Sequence, residues 1–167
     1  GDFNKLLFEL NKDKIWRSVL ASEQEDSRMA DVELILRFFA FADIFSREEI
    51  NQKQIILSKY LNDYMNHHRS LNELEYLEKK ETFISTITVL NESLGNKAFR
   101  TFKRKDQDII WAKKINPVIF DAICSVLVYV NRQNKTAWRV TLENYMKLLD
   151  DEEFKESTTN RTRTLNI

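Results

Sequence analysis

Residues 97–114 are the only stretch of the chain with a marked charge asymmetry. Among them lie three aromatic residues, Phe99, Phe102 and Trp111. Two acidic residues, Asp106 and Asp108, stand against seven basic ones: Lys97, Arg100, Lys103, Arg104, Lys105, Lys113 and Lys114. Basic side chains neutralise phosphates and aromatic rings stack on bases, so this composition is typical of a nucleic-acid contact. The candidate contact residues are Arg100, Lys103, Arg104 and Lys105.

A second interpretation of the same segment requires no ligand. Surface segments often combine charged side chains that face water with aromatic side chains that anchor in the core. We prefer this interpretation for residues 97–114 and keep nucleic-acid binding as the alternative.

Histidine and cysteine indicate neither a metal site nor a nucleophile. His67 and His68 are adjacent, so on a helix they point about 100° apart and cannot chelate one ion from one face. We expect both to be exposed near a helix C-terminus, where positive charge is favoured. Cys124 lies on the apolar side of a predicted helix and is expected to be a buried, unreactive thiol. No catalytic residue, cofactor or metal is predicted.

Arg37 and Asp43 are charged residues within an otherwise apolar segment. Glu33 precedes Arg37 by four residues, the favourable order for an ion pair on one face of a helix. We interpret Arg37 as a paired, partly buried arginine that holds the helix in register. A binding role for its guanidinium is the alternative.

The composition selects a helical fold. The chain has 167 residues but only two glycines and one proline, too few for the turns of an all-β fold or for a glycine-rich phosphate loop. The chain is 43% hydrophobic, and its 26 basic and 26 acidic residues give a net charge of zero. No apolar run reaches the length of a membrane span. The single cysteine fits a reducing compartment, so we expect a cytoplasmic protein.

The periodicity predicts an all-α fold of about seven helices packed around a buried central apolar helix at 31–45. Asp31 is its predicted N-cap. Two short helices precede it, and a polar loop covers 22–29. The others are predicted at 53–68, at 71–94 with Gly95 after its end, from Asn116 and Pro117 onward, and at 136–149. We expect one helical domain over 1–156, followed at 157–167 by a polar tail or the start of a further helix.

Four motifs occur in the same order as in a known family. Residues 28–41 fit the pattern R-M-x-D-x-E-x-x-L-R-F-x-A-F, and residues 60–65 resemble F-L-N-x-Y-M. A long helix then ends in G-x-x-A-F-R at 95–100, and residues 119–122 resemble a hydrophobic-F-D-A helix. The chain therefore resembles the helical region of the GmrS-like (GmrSD-type) family of bacterial restriction and anti-phage proteins. The polar residues of the pattern that we expect to be structural are Arg28, Asp31, Glu33, Arg37 and Asp121.

The resemblance implies a non-catalytic part of a longer protein. Members of the family carry an N-terminal nucleotide-binding domain with a D-G-Q-Q-R motif, and many carry a C-terminal nuclease domain of the HNH type. Neither motif is present here, and the chain begins at Gly1 rather than at a methionine. The expected partners are the nucleotide-binding domain of the same protein and DNA, with no membrane. This fragment is not expected to be catalytic by itself.

A different class of function is the alternative. The chain could be a stand-alone helical module that recruits a protein partner through an exposed apolar patch. Leu7, Phe8 and Trp16 are the residues predicted to form that patch.

Overall fold

Eight α-helices make up most of the computed structural model, which describes residues 1–45, 54–133, 140–159 and 164–166. The all-α prediction is confirmed. The helices are α1 (Asp2–Asn11), α2 (Lys14–Leu20), α3 (Ala30–Phe45), α4 (Leu57–His67), α5 (Glu73–Leu94), α6 (Pro117–Arg132), α7 (Leu142–Asp150) and α8 (Glu152–Thr159). A 3-10 turn covers Gly95–Lys97, and two short sheets contain β1 (Gln54–Ile56), β2 (Phe102–Lys105), β3 (Asp108–Trp111) and β4 (Thr164–Asn166).

The central helix is α3, as predicted. It contacts α1, α4 and α6, and between Val32 and Ala42 every residue except Glu33 is buried. A helix that is apolar on all sides must be covered on all sides, so α3 determines where the other helices pack.

The predicted N-cap of α3 is wrong. The helix begins at Ala30, and Asp31 therefore lies in its first turn. The carboxylate of Asp31 accepts hydrogen bonds from the Arg17 guanidinium (2.7 Å) and the Asp26 backbone N–H (3.0 Å). The preceding turn is closed by Asp26, whose side chain accepts from the backbone N–H of Arg28 at 2.7 Å.

Aromatic rings fill the space between α2, α3 and α5. Phe83 is fully buried, and its ring centre lies 5.0 Å from that of Phe38 and 5.6 Å from that of Trp16, both in edge-to-face geometry. Such pairs add to the free energy that area burial alone provides.

Polar caps determine where the long helices begin and end. Asn72 and Glu75 form a capping box at the start of α5, and Asn116 caps α6 with Pro117 in the first position. Gly95 ends α5 with φ +53° and ψ −136°, a conformation that essentially only glycine adopts. Gly95 thus explains the predicted end of α5, and Asn116 with Pro117 explains the predicted start of α6.

Three predicted boundaries differ from the structure by three residues or more. The helix predicted from residue 53 begins at Leu57, because Gln54–Ile56 pair with Thr164–Asn166; residue 53 lies outside the described residues. The helix predicted from residue 136 begins at Leu142 with Thr141 as its N-cap, and 136–139 are likewise outside. Helix α8 runs to Thr159, across the predicted boundary between 156 and 157.

The hairpin of β2 and β3 lies within the basic segment and was not predicted. Its two-residue connection is Asp106 and Gln107, and Asp106 adopts φ +56° without being a glycine. Aspartate tolerates this left-handed conformation better than most residues, so the chain turns here without a glycine.

Among the described residues, no helix is both long enough and apolar enough to cross a membrane.

We predict that Phe83→Ala lowers the free energy of unfolding by about 3–5 kcal/mol, because it leaves a cavity beside the rings of Phe38 and Trp16. Leu77→Ala on the same helix is the matched control. Leu77 is 54% exposed, so its truncation is expected to cost no more than about 0.5 kcal/mol. Urea denaturation followed by circular dichroism measures both, and equal losses would contradict this packing.

Candidate functional site

The hairpin has two chemically different faces. Its cross-strand pairs are Phe102 with Trp111, Lys103 with Ile110, Arg104 with Ile109, and Lys105 with Asp108. Successive side chains of a strand point to opposite faces. One face therefore carries Phe102, Arg104, Ile109 and Trp111, and the other carries Lys103, Lys105, Asp108 and Ile110.

The first of these faces is held against α7. The ring of Trp111 stacks on that of Tyr145, with 6.1 Å between centres and 6° between planes. Arg104 donates two hydrogen bonds to Asp150, at 2.8 and 2.6 Å, in the bidentate geometry that guanidinium and carboxylate groups favour. We call this the anchored face.

The second face is open to solvent, and we call it the free face. Lys103 and Lys105 are exposed, and within the described residues neither ammonium group forms an ion pair. Ile110, which is 53% exposed, lies directly across from Lys103. Lys113 and Lys114, just after β3, are also exposed. The free face thus combines two lysines, the exposed carboxylate of Asp108 across from Lys105, and one apolar side chain.

Arg100 is not part of this surface, so its prediction as a nucleic-acid contact is wrong. It is buried, and its guanidinium donates to the backbone carbonyl oxygens of Val19 (2.9 Å), Leu20 (2.9 Å), Ala98 (3.1 Å) and Lys113 (3.2 Å). Burial lowers the pKa of Arg100, but guanidinium stays protonated in proteins. Its charge lies at the C-terminal end of α2, where it is stabilised. Arg100 therefore connects the base of the hairpin to α2.

Backbone strain is stored at the same place. Phe99 has φ +61°, which is unusual for a bulky residue and costs about 1–3 kcal/mol. Its ring is fully buried with its centre 4.8 Å from that of Phe120, and its carbonyl oxygen accepts from the Asn116 backbone N–H at 2.7 Å. These contacts hold the Phe99 backbone in its left-handed conformation and so determine the direction in which the hairpin leaves the helices.

The aromatic residues of the segment anchor in the core, as the interpretation preferred from the sequence expected of them. Phe99 is buried, and Phe102 and Trp111 pack half-buried against the core cluster. Their rings are therefore not displayed for stacking on bases. The basic side chains of the free face remain available to a ligand.

Arg37 and Asp121 form a buried ion pair between α3 and α6. Arg37 donates to both carboxylate oxygens of Asp121, through Nε at 3.0 Å and through a shorter contact of its terminal nitrogen. The expected pair with Glu33 is also present, at 3.5 Å, and Glu33 is largely exposed. Burial raises the pKa of the Asp121 carboxyl to about 6, although the hydrogen bonds from Arg37 oppose it. The two hydrogen bonds of the pair link α3 to α6.

The other polar residues of the family pattern lie apart from this pair. Asp31 is buried and pairs with Arg17, which no sequence signal identified because the two are not adjacent on one helix. Arg28 is exposed. The structure thus brings together three of the five pattern residues: Glu33, Arg37 and Asp121.

Asp43 is the centre of a second polar cluster, which lines a cavity of about 530 Å³ between α3, α5 and the end of α6. Its carboxylate accepts from the Tyr64 hydroxyl at 2.5 Å, and three basic groups lie near it: Arg132 (3.5 Å), Lys79 (3.9 Å) and His68 (4.0 Å). The only signal in the sequence was the presence of Asp43 in an apolar helix.

The histidine and cysteine predictions are partly confirmed. His67 is exposed, but His68 is half-buried, with its ring centre 4.2 Å from that of Tyr64. Burial and the nearby Lys79 lower the pKa of His68. Cys124 is buried as expected, and burial raises its pKa well above the ordinary value, which keeps the thiol protonated. The described residues contain no group of three or more histidine, cysteine or acidic residues arranged to hold a metal ion.

The apolar patch predicted for a protein partner does not exist. Leu7 and Trp16 are fully buried and Phe8 is half-buried, because all three belong to or pack against the helical core. An apolar groove lies elsewhere, between α6, α7 and α8, with a volume of about 470 Å³ and a lining that includes Ile123, Val126, Leu148 and Phe154.

No protein-family model, curated protein or solved structure matches this chain. The resemblance of its motifs to the GmrS-like family therefore stays a prediction.

We predict that Asp121→Asn costs about 3–5 kcal/mol of unfolding free energy, because it leaves the buried Arg37 charge without its partner. Glu33→Gln on the exposed side of Arg37 is the control, with an expected cost of about 1 kcal/mol or less. The double variant Arg37→Met/Asp121→Leu should be more stable than Asp121→Asn, since it removes both charges. Denaturant midpoints test this account, which fails if the Asn and Gln variants lose the same amount.

A pH prediction concerns His68. Its pKa in the folded protein is lower than in the unfolded chain, so the unfolded state binds the proton more readily and stability falls as the pH drops through the ordinary value of about 6.5. We expect His68→Gln to remove this part of the acid-side loss. Urea denaturation midpoints of the wild type and of His68→Gln, recorded between about pH 7.5 and 5.5, measure this loss of stability. The contribution of Asp121 is common to both proteins and cancels, so identical pH profiles would refute the prediction.

Proposed function

We propose that this chain is the helical, non-catalytic portion of a cytoplasmic GmrS-like restriction or anti-phage protein, and that it binds DNA through the free face of its hairpin. In this proposal the helices support the nucleotide-binding domain of the same protein. The observation that carries the DNA contact is the free face. Its lysines, Lys103 and Lys105, are exposed and form no ion pair within the described residues, and the opposite face of the hairpin is bound to α7.

Charge supports the DNA part of the proposal. Lys103, Lys105, Lys113 and Lys114 are exposed in one short segment, and the neighbouring Arg104 is already neutralised by Asp150. Lysines without a carboxylate partner release condensed counterions when they contact phosphates. The proposal therefore assigns the contact to the lysines, and it assigns Arg100 and Arg104 to holding the hairpin in place.

Burial supports a structural role for the matched polar residues. Arg37 and Asp121 are both more than nine-tenths buried and satisfy each other. Breaking such a pair is costly, which gives a physical reason for these residue types at these two positions. The proposal assigns no catalytic residue to this chain.

Protein recruitment is the second candidate function. The groove between α6, α7 and α8 favours it, since Val126 is 47% and Leu148 is 38% exposed there. This candidate predicts no dependence of partner binding on the hairpin lysines.

Replacement of the free-face lysines tests the proposed function. We expect Lys103→Ala/Lys105→Ala to weaken binding to duplex DNA and to reduce the slope of log affinity against log salt by about 1 per lysine. Lys12→Ala/Lys59→Ala is the matched control, because it removes the same charge from exposed positions outside the hairpin. Fluorescence anisotropy with a labelled duplex, over a series of salt concentrations, gives both quantities.

Three outcomes would contradict the proposal. The wild-type chain binds no DNA, the hairpin variant binds as tightly as the wild type, or the control variant loses as much affinity as the hairpin variant.

A further inference from the structure

We infer that the ligand of the free face is double-stranded DNA, that the hairpin enters a groove of the duplex, and that Ile110 contacts the base edges there. This inference rests on the proposed function and specifies its partner and its mode of binding. Three features of the hairpin carry it: the direction of its aromatic rings, the position of Ile110 among the lysines, and the contacts that hold the anchored face.

The direction of the aromatic rings argues against a single strand. Proteins that bind single strands stack successive bases on exposed aromatic faces. Here Phe99 is fully buried, Phe102 packs half-buried, and Trp111 is covered by Tyr145. The free face has two lysines, one aspartate and an aliphatic side chain but no exposed ring, which fits a regular phosphate backbone with stacked bases.

Ile110 is placed where a base contact would be made. Its partner across the sheet is Lys103, and Lys105 lies on the same face at the diagonal position. Asp108, two residues before Ile110 on its own strand, shares this face, so two lysines stand against one carboxylate beside the half-exposed isoleucine. Apolar side chains in a groove contact thymine methyl groups, while neighbouring cations reach phosphates. An apolar side chain beside lysines fits a groove in which thymine methyl groups lie close to the phosphates.

Size and rigidity support insertion of the hairpin as a unit. A two-stranded β-ribbon fits the major groove of B-DNA, which is about 12 Å wide. The hairpin consists of only two strands of four residues, and Arg104 with Asp150 and Trp111 with Tyr145 hold its other face on α7. Because these contacts already order the hairpin, DNA binding costs no further conformational entropy to order it.

Ile110→Ala tests this inference, and Ile109→Ala is its matched control on the same strand. Both side chains are exposed, at 53% and 45%, but Ile109 belongs to the anchored face. We expect Ile110→Ala to lower duplex affinity about tenfold, because apolar surface buried in the groove is lost. The salt dependence should stay unchanged, since no phosphate contact is removed. Ile109→Ala should bind duplex like the wild type.

The measurement is fluorescence anisotropy with a labelled duplex of mixed sequence and, separately, with one of its strands. The inference requires tighter binding to the duplex than to the strand, and an effect of Ile110→Ala on the duplex. It is overturned if the single strand binds more tightly, if Ile110→Ala binds like the wild type, or if Ile109→Ala has the larger effect. If any of these results occurs while Lys103→Ala/Lys105→Ala still weakens DNA binding, the proposed DNA contact stands and only the insertion of the hairpin into a groove is refuted. If the wild-type chain binds neither probe, both proposals fail.

Discussion

The burial of α3 is the constraint on which the rest of the structure depends. An apolar helix with no polar side must be covered everywhere, and α1, α4 and α6 together with Phe83 of α5 cover it. The one strong cation inside this arrangement, Arg37, is compatible with it only because Asp121 reaches it from α6 with two hydrogen bonds. Hydrophobic burial thus brings α3 and α6 together, and the buried ion pair selects one register between them.

The hairpin depends on that helical frame at each of its ends. Arg100 fixes its base to the last carbonyl groups of α2, and the buried ring of Phe99 holds a strained backbone conformation at the point of departure. Arg104 and Trp111 hold one face on α7. What remains for a ligand is the opposite face, so the helices determine which basic residues are free and which are structural.

Helical periodicity was enough to predict α3, and periodicity together with the capping residues of α5 and α6 was enough to predict those two helices, because these signals are local. The hairpin was missed because its strands have four residues each and Asp106 replaces the usual glycine of the turn. Lys103 and Lys105 are exposed as a nucleic-acid contact requires, whereas Arg100 was misassigned. Two of the four carbonyl groups that accept from Arg100 come from α2, about 80 residues away, and composition contains no information about them. The Asp43 cluster was missed for the same reason, since its members come from different elements.

Two-dimensional ¹H–¹⁵N spectra, recorded while the chain is titrated with a short duplex, show residue by residue which amides change environment and so where the duplex binds. We expect the largest changes at Lys103, Lys105, Ile110, Lys113 and Lys114, with little change in the groove between α6, α7 and α8. Changes centred on that groove, or no changes at all at saturating duplex, would contradict it.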